Sequence, residues 1–161
     1  LNDISKDNPR IVIDTLKKWK KNPSKERLWI IKHALRTLFK KGNKDAFELM
    51  GYLEPKISNA EINIISKIKI GEQANVNVKF KSLINQKLMI DYVIHYFKSN
   101  GKHSEKVFKL AIKIVKENEL INLSKRHSFK QMTTRKHYSG KHIIELVVNG
   151  KRFAKSEFIL Q

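Results

Sequence analysis

The chain has 161 residues, enough for one good-sized domain or two small ones, and its 34 Lys and Arg against 15 Asp and Glu leave a formal net charge of +19 at pH 7. That imbalance points to a polyanionic partner such as nucleic acid, with a generally lysine-rich composition as the plainer reading. The absence of cysteine removes a disulfide framework, a thiolate metal site and a cysteine nucleophile, and favours a reducing, cytoplasmic setting.

No apolar run approaches the roughly 20 residues of a membrane span, and the amino end, LNDISKDNP, lacks the basic-then-apolar order of a signal peptide, so no membrane partner is expected. Residues 1 to 8 read as the end of a helix; the chain starts at Leu1 rather than Met, and earlier residues are expected to be missing. Asn8-Pro9 is a cap followed by proline at the first helical position, which predicts a helix through about Lys20 carrying Val12, Leu16 and Trp19 on one side. Asn22-Pro23-Ser24 breaks the chain and offers a cap for a third helix, from about Lys25 to Lys41, that ends at Gly42. A shorter helix, roughly Lys44 to Met50, ends at Gly51. Helix, short turn, helix, repeated, is the grammar of a helical-repeat array.

After Pro55 the apolar period changes from 3.6 to 2, and the boundary falls near residues 53 to 60. Ile62, Ile64, Ile68 and Ile70 alternate with polar residues, as do Val76, Val78 and Phe80, and then Phe108, Leu110, Ile112 and Ile114. These are the marks of half-buried antiparallel strands. Leu88 to Phe97 is apolar on both faces and suits a central strand, and Asn149-Gly150 is a hairpin turn between Ile143 to Val148 and Phe153 to Leu160. With an extended piece near Leu120 to Leu123, about seven strands result, the number in an immunoglobulin-like sandwich, although a barrel of similar strand count fits too. The expected fold is α+β by segregated domains: an all-α helical-repeat remnant over residues 1–55, then an all-β immunoglobulin-like sandwich over residues 60–161.

Two basic features stand out. At about 100° per residue, Lys25, Trp29, Lys32, Arg36 and Lys40 share one sector of the third helix with His33 at its edge, beside an apolar sector of Leu28, Ile31, Leu35 and Leu38. Such a face suits a phosphate backbone, or else is an ordinary solvated face with Trp29 partly buried in a next repeat. The stretch KRHSFKQMTTRKHYSGKH, residues 125 to 142, has no acid and carries Lys125, Arg126, Arg135 and Lys136 among hydroxyls such as Thr133 and Thr134. It reads as a phosphate-binding loop or as a long soluble one. Its histidines lack metal-site spacing, so no metal is expected.

The strings LNDISKDNP, RLWIIKHALRTLFKKG with the following DAFELMGY, and TTRKHYSGKHIIELVVNG resemble, in order and spacing, successive stretches of the AlkC-type DNA alkylation repair glycosylases. The resemblance implies HEAT-like repeats that grip damaged duplex DNA, an appended immunoglobulin-like domain that touches it from another side, and removal of cationic lesions such as 3-methyladenine by a monomer without cofactor. It makes Asp3, in LNDIS, the candidate catalytic carboxylate, with Asp7 as a rival that the KDNP cap assigns to a helix end. Arg36, in HALR, resembles the family's phosphate-gripping arginine, and His33 lies one turn before it. Lys32, Lys40, Lys125, Arg126, Thr133, Thr134, Arg135, Lys136 and His142 complete the expected DNA-binding set. A non-catalytic DNA-binding module built on the same two basic surfaces remains the alternative.

Overall fold

The computed structural model describes all residues 1–161. The chain is mostly strand with a smaller helical part, and it divides into two compact units, Leu1–Glu54 and Pro55–Gln161.

The helical unit contains α1 (Ile4–Asp7), α2 (Pro9–Lys20), α3 (Lys25–Ala34), α4 (Arg36–Lys40) and α5 (Lys44–Leu49). Pro9 opens α2, where its missing N–H costs nothing. The Ser24 side chain caps α3 by accepting from Arg27 N (3.1 Å), and Asn43 caps α5 by accepting from Ala46 N (3.0 Å). Val12, Leu16, Ile31, Leu35 and Leu38 are buried together with Phe47, and Phe39, Phe47 and Tyr52 meet as tilted and edge-on rings.

The single helix expected over Lys25 to Lys41 is two. Leu35, at φ −86° and ψ −6°, ends α3 and precedes α4. Leu35 N still donates to Ile31 O (3.1 Å) and Phe39 N to Leu35 O (2.9 Å), so the interruption is confined to one turn. The sector from Lys25 to Lys40 is therefore divided between two short helices.

The strand unit has eight strands rather than seven: β1 (Ile57–Asn63), β2 (Lys67–Ile68), β3 (Gln73–Ser82), β4 (Gln86–Phe97), β5 (His103–Val115), β6 (Leu120–Ser128), β7 (Gly140–Val148) and β8 (Lys151–Leu160). They form a three-stranded sheet, β1-β3-β6, and a five-stranded sheet, β2-β8-β7-β4-β5. Val76, Val78, Phe80 and Ile121 from the first meet Leu88, Ile90, Ile94 and Phe158 from the second in one core. The hairpin at Asn149-Gly150 forms with both residues at positive φ (48° and 78°), and Asn149 Oδ1 accepts from Met89 N (2.8 Å).

Two expectations about strand phase are corrected. Ile62 and Ile68 do not belong to one strand: β1 pairs with β3, whereas β2 pairs in parallel with β8, so the chain changes sheets between residues 63 and 67. In β5, Phe108 and Leu110 pack against the core, but Ile112 and Ile114 are exposed. The register shifts between Ile90 and Asp91, leaving Leu110 without a direct partner, and this bulge turns the following isoleucines outward.

Candidate nucleic-acid interface

In the helical unit, Asp3 precedes α1 with its side chain 94% exposed, and Lys6 Nζ lies 3.6 Å from Oδ1. Its neighbour Asn2 accepts from Thr37 N through Oδ1 (3.1 Å), and Ser5 Oγ donates to Asn2 O (2.6 Å). The segment bearing Asp3 is thus tied to the helix bearing Arg36 and Lys40, both exposed. Lys32 and His33 are exposed on α3. Trp29 is also exposed (63%), with its ring 4.0 Å from that of His33 and tilted by 47°. The burial of Trp29 contemplated from the sequence is not found within this unit. An exposed indole beside imidazole and cations is a surface suited to a flat or anionic partner.

In the strand unit the long basic loop is shorter than expected, because Lys125 and Arg126 lie on β6 and His142 lies on β7. What remains, residues 129–139, folds into a small hairpin. Met132 and Arg135 exchange backbone hydrogen bonds (3.2 Å each), leaving Thr133 and Thr134 exposed at the tip. At its base, Gln131 Nε2 donates to His137 O (2.9 Å) and His137 N donates to Gln131 Oε1 (2.7 Å). Lys136 is exposed, with Nζ 5.6 Å from the centre of the Tyr138 ring.

Arg135 anchors this hairpin. Its guanidinium lies 4.9 Å from the Phe108 ring centre and 5.6 Å from that of Tyr96. Beneath it, His127 bridges two buried phenols: Nδ1 is 2.8 Å from the Tyr92 hydroxyl and Nε2 is 3.0 Å from that of Tyr96. A neutral imidazole satisfies both, donating from one nitrogen and accepting at the other. Burial first, and then the Arg135 charge, push the His127 pKa down to about 4. Burial likewise raises the Tyr92 hydroxyl to about 12 and the Tyr96 hydroxyl further, so both stay neutral hydrogen-bonding groups.

His142 is corrected outright. It is fully buried, with Nδ1 3.0 Å from Gly140 O, and its ring meets Tyr96 edge-on at 5.8 Å, so its side chain has no access to a nucleic-acid backbone. Burial lowers the pKa of both His142 and the adjacent His137. The sequence alone places these histidines in a basic loop, which hides their burial. The phase signal was present: His127 falls in step with Ile121 and Leu123 on β6.

A different polar set, on the outward face of the five-stranded sheet, pairs within itself. His95 Nε2 lies 3.0 Å from Glu145 Oε2, and Arg152 pairs with Glu105 (2.9 Å) and with Glu145. Burial alone would raise Glu145, but the hydrogen bonds from His95 and Arg152 bring it below its ordinary value. Charges paired in this way across four strands are not available to phosphate. No group of three or more His, Cys, Asp or Glu side chains is arranged to hold a metal ion, and no helix is long and apolar enough to cross a membrane.

If Arg135 fastens the hairpin, Arg135→Ala should speed amide exchange over residues 130–137 about fivefold, the equivalent of about 1 kcal/mol of cation–π contact. The same change should raise the His127 pKa, since a neighbouring positive charge is lost. Unchanged exchange together with an unchanged His127 titration by NMR would refute the anchoring role.

The sequence pattern of the family described as "Uncharacterised protein YhaZ, C-terminal Ig-like domain" matches residues 58–161. The protein called "Uncharacterized protein YhaZ" of Bacillus subtilis (strain 168) is 36% identical over 156 residues, which is 94% of this chain and 43% of that protein. Among solved structures, the Pseudomonas fluorescens alkylpurine DNA glycosylase AlkC, bound to DNA containing an abasic site analog, is 37% identical. It superposes with a TM-score of 0.90 over 99% of this chain and 45% of its own. A β-glucosidase from Listeria innocua in complex with gluconolactone is similar in fold alone, at 11% identity and a TM-score of 0.54 over 68% of this chain and 17% of that one. The chain therefore spans less than half the length of the YhaZ and AlkC relatives it matches.

Proposed function

Because the chain belongs to the YhaZ C-terminal Ig-like domain family, we propose that it is the carboxy-terminal part of a DNA repair glycosylase and that it binds duplex DNA through its two basic surfaces. The observation that carries this reading is the likeness, over both units, to a glycosylase bound to DNA. The excess of 34 Lys and Arg over 15 Asp and Glu supports a polyanionic partner independently.

In the proposed complex, Lys32, Arg36 and Lys40 hold phosphates from short helices that act as HEAT-like repeats. Lys125, Arg126 and Lys136 do so from the sandwich, with Thr133 and Thr134 offering hydroxyl donors at the hairpin tip. Arg135 contributes charge while it fastens that hairpin. The protein works as a monomer in the cytoplasm, where its DNA is.

The proposed reaction is hydrolysis of the N-glycosidic bond of cationic purines such as 3-methyladenine. A base that already carries positive charge leaves readily and needs little acid catalysis. The remaining task is to stabilise an oxocarbenium-like sugar and position water, which suits a carboxylate near C1′. Asp3 is exposed and in contact only with Lys6 among charged groups, and we assign it that role. The rest of the lesion pocket is assigned to residues outside this chain, so the 161-residue chain alone should release little or no free base. Release of 3-methyladenine from methylated DNA at the full-length rate would contradict that assignment.

The test of DNA binding uses fluorescence anisotropy with an undamaged duplex across a salt series. Affinity should fall steeply with salt, and Arg36→Ala should make the log–log slope shallower by about 0.9, the amount per phosphate contact. Its affinity at about 0.1 M salt should fall roughly eightfold by the same relation. Salt-independent binding, or an Arg36→Ala slope equal to that of the unsubstituted chain, would reject this surface as a DNA site. If DNA binding stands while Asp3 proves irrelevant to base release, the chain is a non-catalytic DNA-binding module.

A further inference from the structure

β5 and β6 are edge strands of opposite sheets. Lys125 Nζ, on β6, donates to the carbonyl oxygen of Lys109 on β5 at 2.6 Å. A lysine thus spans this flank of the sandwich.

The register shows how unusual the flank is. Lys106 stands opposite Ile94 and Lys113 opposite Leu88, both fully buried core residues, so these two lysines occupy the core-facing row of β5. Lys125 likewise stands opposite Val76 in the core-facing row of β6. At an edge, such side chains lay their stems over the core and carry their ammonium groups to the rim. Phe108, which Arg135 covers, sits between Lys106 and Lys109 and carries the positive flank on to the hairpin.

A single inward lysine is enough to discourage edge-to-edge pairing of strands. Several, with Arg126 nearby and no ion pair at Lys106 or Lys113, repel one another unless an anion intervenes. From Lys106 to Lys113 a strand rises about 23 Å at roughly 3.3 Å per residue. That is the axial length of about seven base pairs at roughly 3.4 Å per phosphate on one strand.

Resting on the DNA-binding reading above, we infer that the β5–β6 flank is a second phosphodiester track, continuous with the hairpin, that holds duplex DNA regardless of sequence or damage. Lysine ammonium groups read phosphate charge and not base edges, so the track retains undamaged DNA beside the lesion. Lys109 is structural within it, and Lys125 uses one ammonium donor on Lys109 O and keeps two for phosphate; Lys106 and Lys113 are the phosphate contacts that the track adds.

The experiment uses the 161-residue chain and an undamaged duplex oligonucleotide, with anisotropy measured from about 50 to 200 mM salt. K106Q/K113Q should reduce the salt slope by about 1.8 and weaken binding roughly tenfold or more near 0.1 M salt, while K106R/K113R should bind as the unsubstituted chain does. The circular dichroism spectrum and thermal midpoint should be unchanged; should the double variant unfold, K106Q alone, at an exposed position, should still lower the slope by about 0.9. K136Q serves as the separate test of the hairpin.

If K136Q weakens binding and K106Q/K113Q does not, the track is rejected and the DNA-binding reading survives. If neither has an effect while Arg36→Ala still lowers the slope, the track is rejected and the helical surface alone holds DNA; if Arg36→Ala is also without effect, both readings fall. If K106Q/K113Q weakens binding to heparin or single-stranded RNA but not to duplex DNA, the track serves another polyanion and the inference is overturned.

Discussion

Asp3→Asn, measured in the full-length protein, should slow single-turnover release of 3-methyladenine by roughly 100-fold or more while DNA affinity stays equal or rises. The asymmetry follows from the charge. A carboxylate facing an oxocarbenium-like sugar stabilises the transition state far more than the ground state, and removing one well-placed electrostatic group typically costs that much in rate. The same negative charge repels phosphates in the ground state, so its loss does not weaken binding. Asp3 is well exposed and Lys6, at 3.6 Å, is its ion-pair partner, so the substitution should leave folding intact. Equal rates for Asp3→Asn and the unsubstituted protein would remove Asp3 from the mechanism, and Asp7→Asn is the control that checks its rival.

Asp91→Asn should stabilise the strand unit at pH 7 by roughly 3 kcal/mol, read as a higher urea midpoint at unchanged m-value. Asp91 lies at the β5 bulge, 6% exposed, and burial raises its pKa to about 6 against the attraction of Lys109 and then Lys125. Its folded-state pKa exceeds the unfolded value of 3.8, so the folded state binds the proton first. The carboxylate therefore penalises folding fully above about pH 6, and the penalty disappears as pH falls below about 4. The advantage of Asn should shrink over the same interval.

His127 acts in the opposite direction. Its folded pKa, about 4, is below its ordinary value of 6.5; the stability that depends on its neutral ring is present above pH 6.5 and is lost as pH falls toward 4. In the unsubstituted chain these two slopes partly cancel between pH 6 and 4. In Asp91→Asn the histidine slope should stand alone, and stability should decline visibly with acid. A variant no more stable than the unsubstituted chain at pH 7 would mean that Asp91 ionises without penalty.

Local chemistry was legible wherever one or two residues decide it. Pro9 and Ser24 mark helix starts, Asn149-Gly150 forms its hairpin, and the in-out pattern of Val76, Val78 and Phe80 is that of β3. What escaped was non-local. Alternation says which face an isoleucine occupies but not which sheet, so Ile62 and Ile68 read as one strand although they join different layers. A single unpaired residue, Leu110, reverses the phase of Ile112 and Ile114, and only the partner strand determines it. Among the candidate interface residues, helix periodicity identified Lys32, Arg36 and Lys40 as exposed cations. Composition grouped His142 with the loop cations, because aromatic neighbours such as Tyr96 and Phe158 come from distant strands.

The sheet change after β1 governs the order of assembly. β2 docks in parallel on β8, Ile70 N donates to Gln161 O (2.8 Å), and Gln161 N donates to Ile68 O (2.9 Å). Residues near 68 thus wait some ninety positions for their partner, a high contact order of the kind that slows folding. On the ribosome β2 therefore emerges without its partner, and the five-stranded sheet can be completed only after Lys151–Leu160 has followed.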